Sequence, residues 1–409
     1  MDFFEFLNYA VTPYHTVDFL KKALSVEEVA LMERGGALIA ARMPRKCSSQ
    51  SRFRIALAHT DFPALKISPN PDKGGAGVCT LHSEIYGSPL FTSWLDRDLG
   101  YAGLLAIEKD GRLESRLVRG DRLFRIPQLA IHLNRNVNQE GLKVNPQTDL
   151  DALWCAASGC ASAKDAGAKF VDALQAELLE GERLLDFDIQ LFDAQGANAG
   201  GFNGEWIYSG RLDNLSSCHA IAQGILQAKP DENDFLIAAF MNNEEVGSNT
   251  REGAAGNFLK SSLETLWKTS WPEDGADFEQ ALSQSLALSI DMAHAAHPNF
   301  VQKHEANHAP VLGGGIVLKT NAQKRYASDV MSSARFKLLC EQANVIHQTF
   351  ITRNDMPCGS TVGPTVSAAL GIPTVDVGEP MLSMHSIREM IALKDHQDMV
   401  TLLKVFMGG

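Results

Sequence analysis

The sequence predicts an α/β protein split by a β-rich insertion, on three observations. Apolar runs of strand length at 54–58, 235–240 and 287–290 each lead straight into polar, chemistry-bearing residues. Amphipathic helical stretches alternate with these runs. Between about residue 85 and 205 the texture changes to short alternating segments broken by Asp110-Gly111 and Gly120-Asp121, which are hairpin signals. The expected division is residues 1–84 with 206–409 for the α/β part and 85–205 for the insertion.

In chain order, residues 2–10 and 16–34 read as two amphipathic helices around the Pro13 break. A short strand at 38–40 and an exposed polar loop at 41–51 follow. The run 54–58 is a buried strand, and Pro63, Pro69 and Pro71 keep a helix from starting after it. Within the insertion, residues 104–107 and 113–118 read as antiparallel β, with Ile131-His132-Leu133 inside that region. Residues 163–180 form an alanine-rich helix ending at Gly181. The α/β texture resumes with a helix at 215–228 and the strand 235–240. A helix at 257–269 and the strand 287–290 come next. Gly313-Gly314-Gly315 opens a strand ending near Lys319, and a helix with Val330, Ala334, Phe336 and Leu339 follows. A strand at 345–350, a helix at 362–370, a strand at 374–377 and a last helix at 389–404 complete the chain.

Composition narrows the function. At 409 residues, two or three domains are expected. Hydrophobic residues make up 45% and charged ones 21%, which suits a folded globular protein. A formal net charge of -12 and a pI near 5.5 argue against nucleic acid as the main partner. The seven cysteines include no CxxC pair, so neither a disulfide framework nor a cysteine zinc knuckle is indicated. The acidic start, Met1-Asp2-Phe3-Phe4-Glu5, does not resemble a signal peptide, and no apolar run reaches the ~18 residues of a membrane span. A soluble, cytoplasmic chain is expected.

The chemistry gathers at the ends of the predicted strands. His59, Asp213, Glu244 with Glu245, and Asp291 fall there, and His385 lies on a further connection. Ligands bind at such carboxyl ends in open α/β sheets. Each residue also has a plainer reading: Glu244-Glu245 as a solvated acidic turn, Asp213 as a helix cap, His132 as a packed or surface histidine. Adjacent glutamates point to opposite faces of a regular strand, so they can serve one centre only if the backbone turns, which Gly247 allows. Asp61, two residues after His59, can take a ring N–H and fix its tautomer. An oxygen and nitrogen set without thiolate suits Zn²⁺, Mn²⁺ or Co²⁺. Two ions need a bridging carboxylate, which leaves one glutamate over as a general base.

Ordered segments then carry a resemblance over essentially the whole chain. They include Ala58-His59-Thr60-Asp61, Thr92-Ser93-Trp94-Leu95-Asp96-Arg97-Asp98-Leu99, Leu129-Ala130-Ile131-His132-Leu133 and the stretch 243–248. Asp291-Met292-Ala293-His294-Ala295, Arg325-Tyr326-Ala327 and Met384-His385-Ser386-Ile387-Arg388-Glu389 continue the series. In these the chain resembles the M18 metallo-aminopeptidases, the aspartyl aminopeptidase group of di-metal peptidases. The resemblance implies a split di-metal peptidase domain, with a central mixed sheet flanked by helices, and an inserted β-rich dimerisation domain. It implies two divalent ions per subunit, Zn²⁺ first. His59 and Asp291 would hold one, Glu245 and His385 the other, with Asp213 bridging. Glu244 would be the base acting on a metal-bridged water, Asp61 would orient His59, and His132 would reach a neighbouring subunit's site. Lys319 would read an N-terminal Asp or Glu side chain of the peptide, and His294, three residues past Asp291, could add a donor. The family's twelve-chain assembly is implied too, with neither nucleic acid nor membrane as partner. Phe62, Gln128 and Asn242 depart from common family residues, which touches substrate preference more than mechanism. Three other readings stay open: the same chemistry with broader preference, a non-hydrolytic peptide-binding scaffold, and a phosphatase or nuclease using the same metals.

Overall fold

The computed structural model describes residues 1–157, 169–270 and 277–408. The chain divides into two units. The first comprises Met1–Phe62, Ala197–Met384 and Glu389–Gly409, and the second Pro63–Gly196 with His385–Arg388. The division falls at Pro63 rather than near residue 84 because the strands that follow Pro63 pair with the insertion's own strands.

The first unit opens with β1 (Ala30–Arg34), β2 (Ala37–Arg42) and β3 (Arg52–His59). The second holds β4 (Ala64–Gly75), β5 (Val78–Tyr86), β6 (Leu99–Lys109), β7 (Arg112–Arg119), β8 (Ala152–Ala156) and β9 (Glu182–Asp193). Back in the first unit come β10 (Asn198–Gly200), β11 (Trp206–Ser209), β12 (Asp234–Met241), β13 (Leu286–Ile290) and β14 (Ala293–His294). The series ends with β15 (Ile316–Lys319), β16 (His347–Phe350), β17 (Thr374–Gly378), β18 (Pro380–Leu382) and β19 (Glu389–Ala392).

The first unit is built on an eight-stranded mixed sheet in the order β1-β2-β12-β3-β13-β17-β15-β16. Its centre is parallel: β3 lies between β12 and β13, and β17 follows β13 in the same direction. The pleat explains why these runs look uniformly apolar. In β12, Leu236, Ala238 and Phe240 enter one core, while Phe235, Ile237, Ala239 and Met241 enter the other. The first core lies under helices that include Phe3–Tyr9, Pro13–Leu24, Leu212–Gln227 and Leu393–Phe406, the second under Phe258–Ser270, Phe278–Gln284 and Val362–Leu370. Burying each large apolar side chain contributes about 1.5–3 kcal/mol. A five-stranded sheet, β10-β11-β19-β18-β14, completes this unit. The second unit is an antiparallel sheet in the order β7-β6-β9-β4-β5-β8 over its own core, with Asp110-Gly111 forming the β6–β7 turn in left-handed geometry. Among the described residues no helix is long and apolar enough to cross a membrane.

Several elements differ from expectation. The second predicted helix stops at Leu24, and Ala30–Arg34 pairs with β2 instead, so tertiary pairing overrode the amphipathic pattern. That helix begins at Pro13 rather than at residue 16: the proline sits in the first turn behind the Thr12 cap, where its missing N–H costs nothing. Glu389–Ala392 is a strand because it pairs with β11 and β18, and the last helix begins at Leu393. Val330 and Ala334 face solvent, and that helix buries Phe336 and Leu339. Of the predicted helix 163–180, residues 163–168 lie outside the described residues, and the described helix covers Phe170–Gln175.

The helices Leu212–Gln227 and Leu393–Phe406 share a buried polar chain. His219 Nδ1 lies 2.9 Å from His396 Nε2, and His396 Nδ1 lies 3.0 Å from Glu379 Oε1. Phe3 stacks on His396, and Gln223 donates to the Met1 carbonyl. Burial, then the neighbouring His396, depresses His219 from 6.5 to about 3. Between those values the unfolded chain takes up a proton that the folded chain refuses. This group's share of stability is therefore complete above pH 6.5 and is lost as pH falls towards 3, with a slope of at most about 1.4 kcal/mol per pH unit. Urea unfolding of wild type and His219→Gln across that window should show wild type losing stability faster on acidification. A constant gap would mean His219 is protonated in the folded protein.

Candidate metal centre

His59 is the last residue of β3 and is buried. The ladder carries one residue past it, since Thr60 N–H donates to the Met241 carbonyl while the Thr60 hydroxyl donates to Gly36 O. That anchoring aims the next residue, Asp61, inward, and it is fully buried. Its carboxylate accepts two backbone N–H groups, from Glu244 to Oδ1 and from Glu245 to Oδ2, each at 3.1 Å. The two glutamates sit in a 3₁₀ turn, Glu244–Val246, entered through left-handed Asn243 and left through left-handed Gly247. A 3₁₀ turn sets neighbouring side chains about 120° apart rather than the 180° of a strand. The backbone thereby solves the problem of adjacent carboxylates serving one centre.

His59 Nε2 stands 3.3 Å from Asp213 Oδ1 and 3.7 Å from Asp291 Oδ1, while Nδ1 is 3.0 Å from the Asp61 carbonyl. Asp61 therefore holds the ring chiefly through its main-chain oxygen, its carboxylate being 3.5 Å from Nδ1. Asp213 lies in the distorted first turn of the helix Leu212–Gln227, not at a strand end, and the Asp213–Asn214 peptide is cis. Asp213 N–H donates to the buried Glu389 carboxylate at 3.0 Å, and Asn214 Nδ2 donates to Ile290 O. Asp291 directly follows β13. Donor atoms of His59, Asp213 and Asp291 lie within 4.8 Å of one another, and so do those of His59, Glu244 and Glu245.

Charge is concentrated here. Burial raises Glu244 to about 8, with Asp291 and Glu245 adding to it and His59 opposing. A divalent cation beside the carboxylate would reverse that effect. Burial works against Asp291 too, but Lys319 and His59 overcome it and hold its carboxyl well below the usual range. For His59, burial opposes protonation, yet the carboxylates of Asp213, Asp291 and Asp61 lift it well above 6.5. The donors are oxygen and nitrogen, and the nearby Cys218 thiol, which donates to His59 O, is pushed up to about 12 by burial and is no thiolate ligand. The set therefore fits two hard-to-borderline divalent ions.

Lys319 is no surface lysine. It ends β15 fully buried, with Nζ 3.6 Å from Asp291 Oδ2, donating to Met292 O at 3.1 Å and 5.2 Å from the Tyr326 ring centre. The Gly313-Gly314-Gly315 run precedes that strand rather than forming part of it. Gly313 and Gly315 N–H groups cradle the Asp395 carboxylate, and a Cβ on Gly315 would meet Ile346 O at 2.2 Å. His294 is exposed and lines a cleft of about 250 Å³ with Lys303, His304, Tyr326 and Arg353.

His132 and His385 belong to the second unit. His132 lies in an exposed 3₁₀ turn, Ile131–Leu133, rather than within β structure, and Leu129, Ile131 and Leu133 around it are exposed as well. His385 has left-handed backbone, and its Nδ1 is 3.0 Å from the Ser88 carbonyl. A donor bond there leaves the ring's lone pair on Nε2. Glu389, which holds the Asp213 backbone, and Tyr326, beside Lys319, were not singled out from sequence. Both stand in the quoted family segments, the only signal that could have found them.

An imidazole, His59, among carboxylates from two strand ends, a helix start and a 3₁₀ turn is a set that can hold divalent metal in an α/β protein. The family model described as Aminopeptidase I zinc metalloprotease (M18) matches residues 6–407. The chain belongs to the M18 family and is a metallo-aminopeptidase. It is 39% identical to a probable M18 family aminopeptidase 2 of Pseudomonas aeruginosa, over 98% of this chain and 96% of that protein. Among solved structures it is similar to the Ape4 and Nbr1 complex, with TM-score 0.91 and 32% identity over 99% of this chain and 84% of that one. It is also similar to the S. cerevisiae mApe1 dodecamer, with TM-score 0.80 and 25% identity over 99% and 95%.

Proposed function

We propose that the chain removes the N-terminal residue of peptides, taking Asp or Glu in preference. The observation that carries this preference is the cleft beside the centre, whose lining offers Lys303, Arg353 and the imidazoles of His294, His297 and His304 as donors, alongside Glu305 and apolar residues. An acidic side chain leaving water needs such donors in return. The cleft meets the centre through Tyr326, which faces Lys319.

Divalent ions, when bound, supply Lewis acidity for the scissile carbonyl and make water a better nucleophile at neutral pH. His59 and Asp291 would hold the first, Glu245 and His385 the second, and Asp213 would be available to both. Zn²⁺ is the expected metal, with Mn²⁺ or Co²⁺ as alternatives. Glu244 takes the proton from the attacking water and returns it to the leaving amine. Asp61 keeps Glu244 and Glu245 in register with His59. Lys319 neutralises Asp291 from behind and presents its charge towards the cleft through Tyr326. His132 acts in a neighbouring subunit, donating to the substrate carbonyl as negative charge develops there. The exposed leucines and isoleucine around it support burial against another copy of the chain. The second unit is the dimerisation domain, and a dodecamer, as in the mApe1 structure, is the proposed assembly. The proposed compartment is the cytoplasm.

Met356, Met381 and Leu382 also line the cleft, and they favour a second reading in which apolar first residues are accepted. A panel of X-Ala-Pro-type peptides, read by mass spectrometry on wild type, Arg353→Met and Lys319→Met, separates the two. Asp- and Glu-started peptides should dominate, and loss of a donor should lower their kcat/KM by about 10- to 100-fold, the worth of one charge-assisted hydrogen bond. Leu-started peptides should hardly change with Arg353→Met. Equal wild-type cleavage of Leu- and Asp-started peptides would sink the acidic preference.

A further inference from the structure

Two cysteines of the second unit stand opposite each other on neighbouring strands. β5 and β8 pair antiparallel with Val78 opposite Ala156 and Cys79 opposite Cys155. Ala157 N–H donates to the Gly77 carbonyl at 3.0 Å, which makes Gly77 and Ala157 a hydrogen-bonded pair. Cys79 and Cys155 are the last pair before the register shifts between Cys79 and Thr80, and opposed residues of an antiparallel ladder have Cα atoms roughly 4.5–5.5 Å apart. That separation lies within the range a disulfide spans. Directly opposed residues also point to one face of the sheet. Cys79 is fully buried, Cys155 half-buried, and the two pack in a small apolar cluster with Trp154 and Ala157. Both are free thiols here, and their side chains share a hydrogen bond.

We infer that Cys79 and Cys155 form a reversible cross-strand disulfide, a redox modification site in the second unit. The oxidant class is a small-molecule disulfide such as oxidised glutathione. The Cys155 thiolate, the more accessible sulfur, attacks one glutathione sulfur and expels a glutathione thiolate. Cys79 gives up its proton, attacks the Cys155 sulfur and expels the second glutathione. Two protein thiols are oxidised to one disulfide, and one glutathione disulfide is reduced to two thiols.

β8 is an edge strand, and the bond would fasten it to β5. Its other edge holds Arg125, since Leu153 N–H donates to Arg125 O at 2.8 Å and Arg125 N–H donates to Leu153 O. The fastened strand thus steadies the segment that runs on to His132. Burial, then the adjacent Cys79 thiol, pushes Cys155 up to about 11, so exchange is slow at neutral pH. This pair responds to sustained oxidation, not to a brief pulse.

The test incubates the full-length protein in oxidised and reduced glutathione at several pH values, blocks remaining thiols, and maps cysteines by mass spectrometry after proteolysis. A linked peptide holding Cys79 and Cys155, two hydrogens lighter than its parts, is expected, forming roughly tenfold faster per pH unit while the thiolate fraction rises. The oxidised protein should unfold at higher urea than the reduced one, and Cys155→Ser should abolish both the link and the shift. Glutathione held on Cys155 with Cys79 still reduced would overturn the inference. So would a bridge from Cys155 to any other cysteine, or no bridge at all under conditions that oxidise a model dithiol peptide. The mapping uses the wild-type chain, so it stands even if a serine variant folds poorly.

Discussion

Glu244→Gln should lower kcat by roughly 10²–10⁴-fold while the protein keeps its metal, the loss typical of removing a general base. Glutamine matches glutamate in shape, and the backbone N–H at 244 still reaches Asp61, so the 3₁₀ turn should survive. Only the capacity to accept a proton disappears. Glu245→Gln makes the contrast, because a carboxylate that holds metal should cost occupancy as well as rate. Elemental analysis beside steady-state kinetics separates them. If Glu244→Gln loses metal and Glu245→Gln keeps it, the two roles are exchanged.

Removing metal should have the larger effect of all: hydrolysis should stop. The carboxylates Asp61, Asp213, Glu244, Glu245 and Asp291 are buried or half-buried; His59 lies among them, and Lys319 beside Asp291. Two dications resolve that excess of negative charge. Metal that binds only the folded state stabilises it by about 4 kcal/mol at a thousandfold excess over Kd. Chelation should therefore lower Tm as well as activity, and add-back should restore both. Full turnover by protein that elemental analysis shows to be metal-free would exclude the proposed chemistry.

Much of this was legible in the chain because strands buried on both faces leave long apolar runs, and runs 54–58, 235–240 and 287–290 became β3, β12 and β13. His59 and Asp291 were therefore placed at the ends of the correct strands. What composition could not show was how Glu244 and Glu245 converge, since that depends on a remote carboxylate, Asp61, drawing both N–H groups to itself. Lys319 could not be distinguished from a surface lysine, because its contacts with Asp291, Met292 and Tyr326 all come from outside its own strand. The segments 30–34 and 389–392 were misread as helix for the same reason. Each is a strand only because a partner, β2 or β11, lies beside it.

The parallel register of β3 and β12 sets Met241 opposite His59. The histidine and the glutamate pair thus leave adjacent strands at the same height. Inserting or deleting one residue in either strand would turn every following side chain to the opposite face. It would also carry Asp61 away from the two N–H groups that it holds. Changes in chain length should consequently be accepted at solvent-facing turns, such as the β6–β7 connection at Asp110-Gly111, and refused within these strands. A library of single-residue insertions along the gene should mark β3 and β12 as gaps among the active clones.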